Sequence, residues 1–267
     1  MTDGSNGGVV VEAAEGVLRL TIDRPDRKGS LGLEGQRQMI EALEAASTDD
    51  ALRVVLISSG DDFCAGSDWV AANQEGAPKP RPGSLQRRTV VQAHRLIELL
   101  QEIQLPVVAA VRGWAAGLGC QIALASDFAI ATDDAQFWLP FVKRGFSPDS
   151  GATWLLPRLV GVARAKELLL LGRPVTGRDA ADWGMIHRSV PDDAFDEAVA
   201  ALVGELHDSA TVALGLTKRL LHGALDGGMA EAMEAESMAL ELSSRTADFR
   251  EGLVAFKERR DPRFDGR

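Results

Sequence analysis

The spacing of apolar positions changes several times along the chain, and each change marks an element. VVVEAAEGVLRLTID predicts a hairpin, with Val9–Val11 and Val17–Ile22 extended and a turn near Glu15 and Gly16. RPDRKGS ends it. Met39, Ile40 and Leu43 then recur at helical spacing, so 33–46 reads as a helix. RVVLISS, 53–59, is an apolar run of strand length, and GDDFCAGSDW is a loop. NQEGAPKPRPGS, 73–84, is rich in Pro and Gly and reads as a connection within one domain. An amphipathic helix is expected over 85–103. LPVVAAVRGW is a strand, followed by a glycine turn, a helix over 118–125 and the short strand FAIAT. After SPDSG the pattern turns helical, at roughly 151–159, 162–171, 177–183, 192–207, 211–223, 229–245 and 247–259.

Strands that alternate with helices, followed by a helical final third, predict an α/β core carrying a helical appendage. The polar opening MTDGSNGG reads as a short disordered tail, residues 1–8, without the basic-then-apolar order of a secretion signal.

Composition narrows the function classes. The 267 residues are 45% apolar and 25% charged, as in ordinary globular proteins. A formal charge of −10 argues against a nucleic-acid surface, and an anionic ligand would need a local basic patch. No apolar run approaches the ~18 residues of a membrane span. RLIELLQEI and MAEAMEAESMALEL are amphipathic with largely acidic polar faces, which suits core or subunit packing rather than a membrane. Two cysteines, Cys64 and Cys120, suggest reduced thiols in a cytoplasm. With four scattered histidines they offer no metal-ligand spacing, so no metal is expected.

Two stretches hold candidate chemistry. VRGWAAGLGCQIALASD has Gly113, Gly117 and Gly119 just before an apolar helical run. A strand that restarts as a helix here leaves unpaired N–H groups at the positive end of the helix, suited to a phosphate or a developing oxyanion. Tight helix packing explains the same glycines. FCAGSDW, 63–69, follows a buried strand and is small enough for close backbone approach. It offers the Ser67 N–H as a second donor, or is a tight turn capped by Asp68. Neither stretch is a Walker loop, a dinucleotide fingerprint or a Gly-x-Ser-x-Gly elbow.

These stretches, with LTIDRPDRKGSL, PVVAAVRGWAAGLGCQIALASDFAIA, AQFWLP, GFSPDSGATWLLPRLVGVARAKELLLLGRPVTGRDAADWGMIHRSV and AFKERRDPRF, resemble the enoyl-CoA hydratase/isomerase, or crotonase, family over nearly the whole chain. The resemblance implies an α/β spiral of ββα units over 9–200 and a helical trimerisation region over 201–267. It implies an acyl-CoA substrate, a homotrimer or dimer of trimers, and no cofactor beyond the coenzyme A of the substrate. The thioester oxygen would rest on the backbone N–H groups of Ser67 and Leu118, the latter standing where a glycine is usual, beside Gly66 and Gly117. Arg24, Arg27 and Lys28 would meet coenzyme A, with Ala65 and Asp68 near the adenine. Phe256 and Lys257 would approach the coenzyme A of a neighbouring subunit. Gly29 departs from the family's usual asparagine.

Hydratases of this family use two glutamates, and the matching positions here are Gln121 and Phe141. Neither side chain takes a proton at neutral pH; both are expected at the substrate site, with Gln121 either a polar helix residue or a hydrogen-bond partner of substrate or water. A carboxylate returns at Asp149, a position matching the isomerase branch and the aspartate nucleophile of 4-chlorobenzoyl-CoA dehalogenase. Surrounded by Trp138, Phe141, Phe146 and Trp154, it would be partly desolvated. The expected function is a double-bond shift with Asp149 as single acid/base. The alternatives are an atypical hydratase, a dehalogenase or thioesterase with an Asp nucleophile, and a silent acyl-CoA-binding protein. PDSG before a helix also reads as an N-cap at Asp149 or Ser150. Asp127 and Asp133 read as caps or turns, and His94 as a surface or packed residue.

Overall fold

The computed structural model describes residues 8–68, 81–225 and 227–267. The tail through residue 7, Trp69 and most of the 73–84 connection lie outside the described residues.

The hairpin forms as β1 (Val9–Ala14) and β2 (Val17–Ile22), paired antiparallel. Its turn places Glu15 and Gly16 at φ of 50° and 74°, the positive values that a tight two-residue hairpin turn requires. Next come α1 (Leu33–Ala46) and β3 (Val54–Ser59). The single helix expected over 85–103 is α2 (Ser84–Thr89), a π turn at Val90–His94 and α3 (Arg95–Glu102). LPVVAAVRGW is not one strand. It divides into β4 (Val107–Val111) and β5 (Trp114–Ala116), which belong to different sheets. The break is Gly113, at φ 55°, where a Cβ would lie 2.2 Å from the Asp61 carbonyl.

The chain continues through α4 (Leu118–Ala125), β6 (Phe128–Thr132), β7 (Gln136–Trp138) and α5 (Ala152–Lys166). Gly161, at φ 73° and ψ 164°, interrupts α5 and a π turn at Glu167–Leu171 follows it, so the two expected helices 151–159 and 162–171 meet at this kink. Then come β8 (Val175–Thr176), α6 (Gly177–Asp182), β9 (Arg188–Val190), α7 (Asp192–His207), α8 (Thr211–Ala224), α9 (Met229–Ser243) and α10 (Ala247–Glu258).

The large sheet runs β1-β2-β3-β4-β6-β9, parallel from β2 onward. The small sheet runs β5-β7-β8, and single bridges from Leu31 to Ser67 and from Cys64 to Ala115 extend its ladder. Strands β2, β3, β4 and β6 are each followed by a short pairing in the small sheet's ladder and then by a helix, which is the expected spiral of ββα units. Both faces of the parallel sheet are buried, as parallel sheets require. Leu20, Ile57, Val107 and Ala109 face the main core with α1, α3 and α4. Val54, Leu56, Val108 and Ile130 meet Phe195, Val199, Leu202 and Val203 of α7. The division expected at residue 200 falls inside α7, whose apolar face belongs to the sheet. Among the described residues no single helix is long and apolar enough to cross a membrane.

Candidate active site

The site begins where two loops lie back to back. Cys64 N donates to the Trp114 carbonyl and Ala116 N to the Cys64 carbonyl, each at 2.8 Å. That pairing fixes 63–66 against the start of α4. Gly66 adopts φ 99°, and a Cβ there would lie 2.9 Å from the Ala116 carbonyl and 3.5 Å from Leu118 N. Gly117 has φ 51° and its added Cβ would touch Gly66 Cα at 3.9 Å. At Gly119 a Cβ would lie 2.2 Å from the Cys64 carbonyl. The glycines of the turn therefore serve both readings. Gly113 and Gly119 permit packing, whereas Gly66 and Gly117 bring two backbones together.

Leu118 N begins a helix, so its N–H has no intrahelical acceptor. The bridge at Ser67 uses Leu31 N, Gly66 O, Asp68 N and Leu31 O, leaving Ser67 N out of the ladder. Among the described residues, two spare donors thus stand on adjoining bends. The Leu118 side chain is buried in the main core.

A cavity of about 220 Å³ opens beside Ser67. Asp149 and Asp68 both line it. Asp68 is ion-paired with Arg24 at 3.4 Å. The carboxylate of Asp149 makes no ion pair or hydrogen bond among the described residues, although its own carbonyl accepts from Ala152 N at 3.2 Å and from Gln121 Nε2. The capping alternative does not hold. The N-cap of α5 is Gly151, at φ 84°, without a side-chain cap, and Ser150 Oγ is buried without a partner.

None of the four aromatics expected around Asp149 is among the residues that line this cavity. Trp138 donates its indole N–H to the Gly172 carbonyl and meets Trp114 edge-on. Trp154 lies against Arg158, and Phe141 is buried against Phe146. The described walls are instead Leu31, Leu33, Gln36, Leu85, Arg88 and Gln92, with others from the same segments. Sequence reasoning passed over these residues. The available signal was Gln36, a polar residue in the buried stripe it shares with Ile40 and Leu43 of α1.

The 24–31 segment lies against the Ser67 loop, with Ala65 N donating to the Lys28 carbonyl and Leu31 N to Gly66 O, each at 2.9 Å. Lys28 and Arg27 keep side chains 65% and 48% exposed, paired with Asp62 at 3.9 Å and Asp26 at 3.8 Å. Arg24 instead donates to the Ser30 carbonyl and Asp68, which ties the loop together. Gly29 has φ 66°, where a Cβ would meet the Phe63 carbonyl at 2.7 Å, so glycine relieves this turn. Phe256, 86% exposed, and Lys257 lie on α10 and are not among the cavity's lining residues.

Neither cysteine is a nucleophile at neutral pH. Burial pushes Cys64 and Cys120 up to about 12. Asp127 is no simple cap, since it accepts from Val107 N at 2.8 Å and from Lys218 Nζ at 2.7 Å inside the fold. Asp133 pairs with Arg178, and His94 ends the π turn, half-buried.

Residues 12–267 match the model of one family, described as enoyl-CoA hydratase/isomerase. The chain belongs to the enoyl-CoA hydratase/isomerase family. Among relatives of this enoyl-CoA hydratase/isomerase chain, the 1,2-epoxyphenylacetyl-CoA isomerase of Escherichia coli K12 is 36% identical over 97% of this chain and 98% of its own. A Rhodobacter capsulatus protein named "Probable enoyl-CoA hydratase" is 35% identical over 96% and 97%. The crystal structure of enoyl-CoA hydratase from Bacillus anthracis superposes with a TM-score of 0.89 at 29% identity, covering 97% of this chain and all of that one.

Proposed function

We propose that this member of the family is an acyl-CoA isomerase that moves a double bond through an enolate. The Asp149 carboxylate takes a proton from a carbon of the unsaturated acyl group, and the electron pair moves onto the thioester oxygen. The N–H groups of Ser67 and Leu118 stabilise that oxygen. The acid now on Asp149 returns the proton two carbons along, and the double bond shifts. Base and oxyanion donors suffice, so no cofactor is needed beyond the coenzyme A of the substrate.

One observation carries this reading. Asp149 shares the cavity with Ser67, and among the described residues its carboxylate is engaged neither in a helix cap nor in an ion pair. Gln121 and Phe141, at the positions of the hydratase glutamates, supply no general acid or base. The name of the Escherichia coli relative points to isomerisation, and that of the Rhodobacter relative to hydration.

Arg27 and Lys28 are the proposed contacts to the coenzyme A phosphates, with Ala65 and Asp68 by the adenine. Phe256 and Lys257 would meet the coenzyme A of a neighbouring subunit in a trimer or dimer of trimers. The apolar side chains exposed on α9, among them Met229 at 79%, Met238 at 65% and Leu240 at 63%, support such assembly. Two buried free thiols suit a cytoplasmic setting.

The test is Asp149→Asn on a 3-enoyl-CoA, followed by ultraviolet absorbance as the conjugated product forms. Loss of about 10²- to 10⁴-fold in kcat is expected. Undiminished turnover ends the shuttle reading. A covalent acyl-enzyme on Asp149 makes it a nucleophile, and efficient water addition to a 2-enoyl-CoA restores the hydratase reading.

A further inference from the structure

We infer that Gln121 is a positioning residue, a strut that sets the Asp149 backbone against the helix carrying the Leu118 amide. The inference rests on the reading of Asp149 as the acid/base. Gln121 lies in the first turn of α4, three residues after Leu118, and is fully buried. Its Nε2 donates to the Asp149 carbonyl. A carbonyl only accepts, so this contact selects the amide NH₂ and leaves Oε1 facing elsewhere, where it is buried without a partner. The position thus tolerates an unpaired oxygen in order to keep one donor on Asp149.

The backbone it holds is strained. Ser150, 3% exposed, sits at φ 47°, and Gly151 follows at φ 84°. Two successive left-handed residues, the first with a side chain, persist only when their surroundings over-determine them. The donors on the preceding carbonyl are Gln121 Nε2 and Ala152 N, the latter at 3.2 Å. Every residue of α4 is buried, so the Gln121 end of the strut is rigid. The same helix therefore carries an oxyanion donor at one position and fixes the base at another. A glutamate at 121 would present a carboxylate to a carbonyl and lose the contact, unless it were protonated.

Two variants test this, with Asp149→Asn as reference. Gln121→Met keeps the volume and removes the donor. The expected result on a 3-enoyl-CoA is a kcat about 10²-fold lower, the scale of a misplacement near 1 Å, with KM within about twofold. Gln121→Glu should lose activity as pH rises through the titration of the buried carboxyl, which burial pushes upward, and keep it below that point, opposite in slope to the wild type, because only the protonated carboxyl donates. A Gln121→Met kcat within a few-fold of wild type, or a fall in kcat matched by a rise in KM, overturns the inference. So does a Gln121→Glu enzyme with the wild-type pH profile. If Asp149→Asn is inactive while Gln121→Met is fully active, the strut alone fails. If Asp149→Asn turns over normally, the shuttle reading fails and takes the strut with it.

Discussion

Gly66 points its absent side chain at the backbone that carries Leu118, with a Cβ 3.5 Å from Leu118 N and 2.9 Å from the Ala116 carbonyl. This contact joins the two bends that carry the proposed oxyanion donors, Ser67 N and Leu118 N. Gly66→Ala has nowhere to put its methyl, and at φ 99° it also strains the backbone. The expected outcome is a loss of about 10²-fold in kcat from misaligned donors, with a lower melting temperature. Kinetics and thermal unfolding of the variant decide it. Wild-type turnover would show that the two bends need not touch.

Lys218 and Asp127 form an ion pair inside the protein, with side chains 8% and 14% exposed. Lys218 Nζ also donates to the carbonyls of Leu100 and Leu105, which ties α8 to the core. Burial pushes Lys218 down and Asp127 up from their ordinary ranges, so both charges depend on each other. Lys218→Met alone is expected to cost about 3–5 kcal/mol, since it strands a buried carboxylate. Adding Asp127→Asn should recover much of that loss. Denaturant unfolding of the four-member cycle measures the coupling, and strict additivity would refute it.

Ser150→Gly removes a strained side chain and an unpaired buried hydroxyl together. A gain of about 1 kcal/mol is expected, or roughly 2–4 °C in melting temperature. A drop in melting temperature would mean that the hydroxyl has a partner in solution.

The thiols bear on alkaline stability. Cys64 and Cys120 are raised from an ordinary value of 9.0 to about 12 by burial. Between these values the unfolded chain releases thiol protons that the folded chain retains. The folded state then binds more protons, so stability is whole below about 9 and falls as pH rises toward 12. The sequence has no tyrosine to titrate in the same range. Unfolding midpoints from pH 8 to 11 should decline less steeply in a Cys64→Ala/Cys120→Ala variant. Rapid alkylation of either thiol in the native protein at pH 8 would contradict the burial.

Much of this was legible beforehand. The hairpin with its Glu15-Gly16 turn, the helix 33–46, the strand FAIAT and the interruption at Gly161 follow from spacing and turn residues close together in the chain. What escaped was nonlocal. Strands β7, β8 and β9 have two or three residues each and show no period of their own. They exist because another strand offers hydrogen bonds. LPVVAAVRGW read as one strand because nothing local says that Asp61 crowds Gly113. PDSG also offered Asp149 or Ser150 as a cap beside the acid/base reading, yet the chain turns left-handed at Ser150 and makes Gly151 the cap instead. Asp127 looked like a cap for the same local reason, while its partner Lys218 lies 91 residues away.

By itself, the sequence determined the order and type of the long elements, the α/β class, the two glycine-bearing bends and the resemblance to a family. These depend on residues near one another in the chain, where periodicity and backbone freedom act directly. Tertiary structure alone decided that the two bends abut, that Asp149 shares a cavity with Ser67, and that Gln121 Nε2 meets the Asp149 carbonyl. Those relations join residues tens of positions apart, and they arise only when sheet pairing and packing bring the segments into contact.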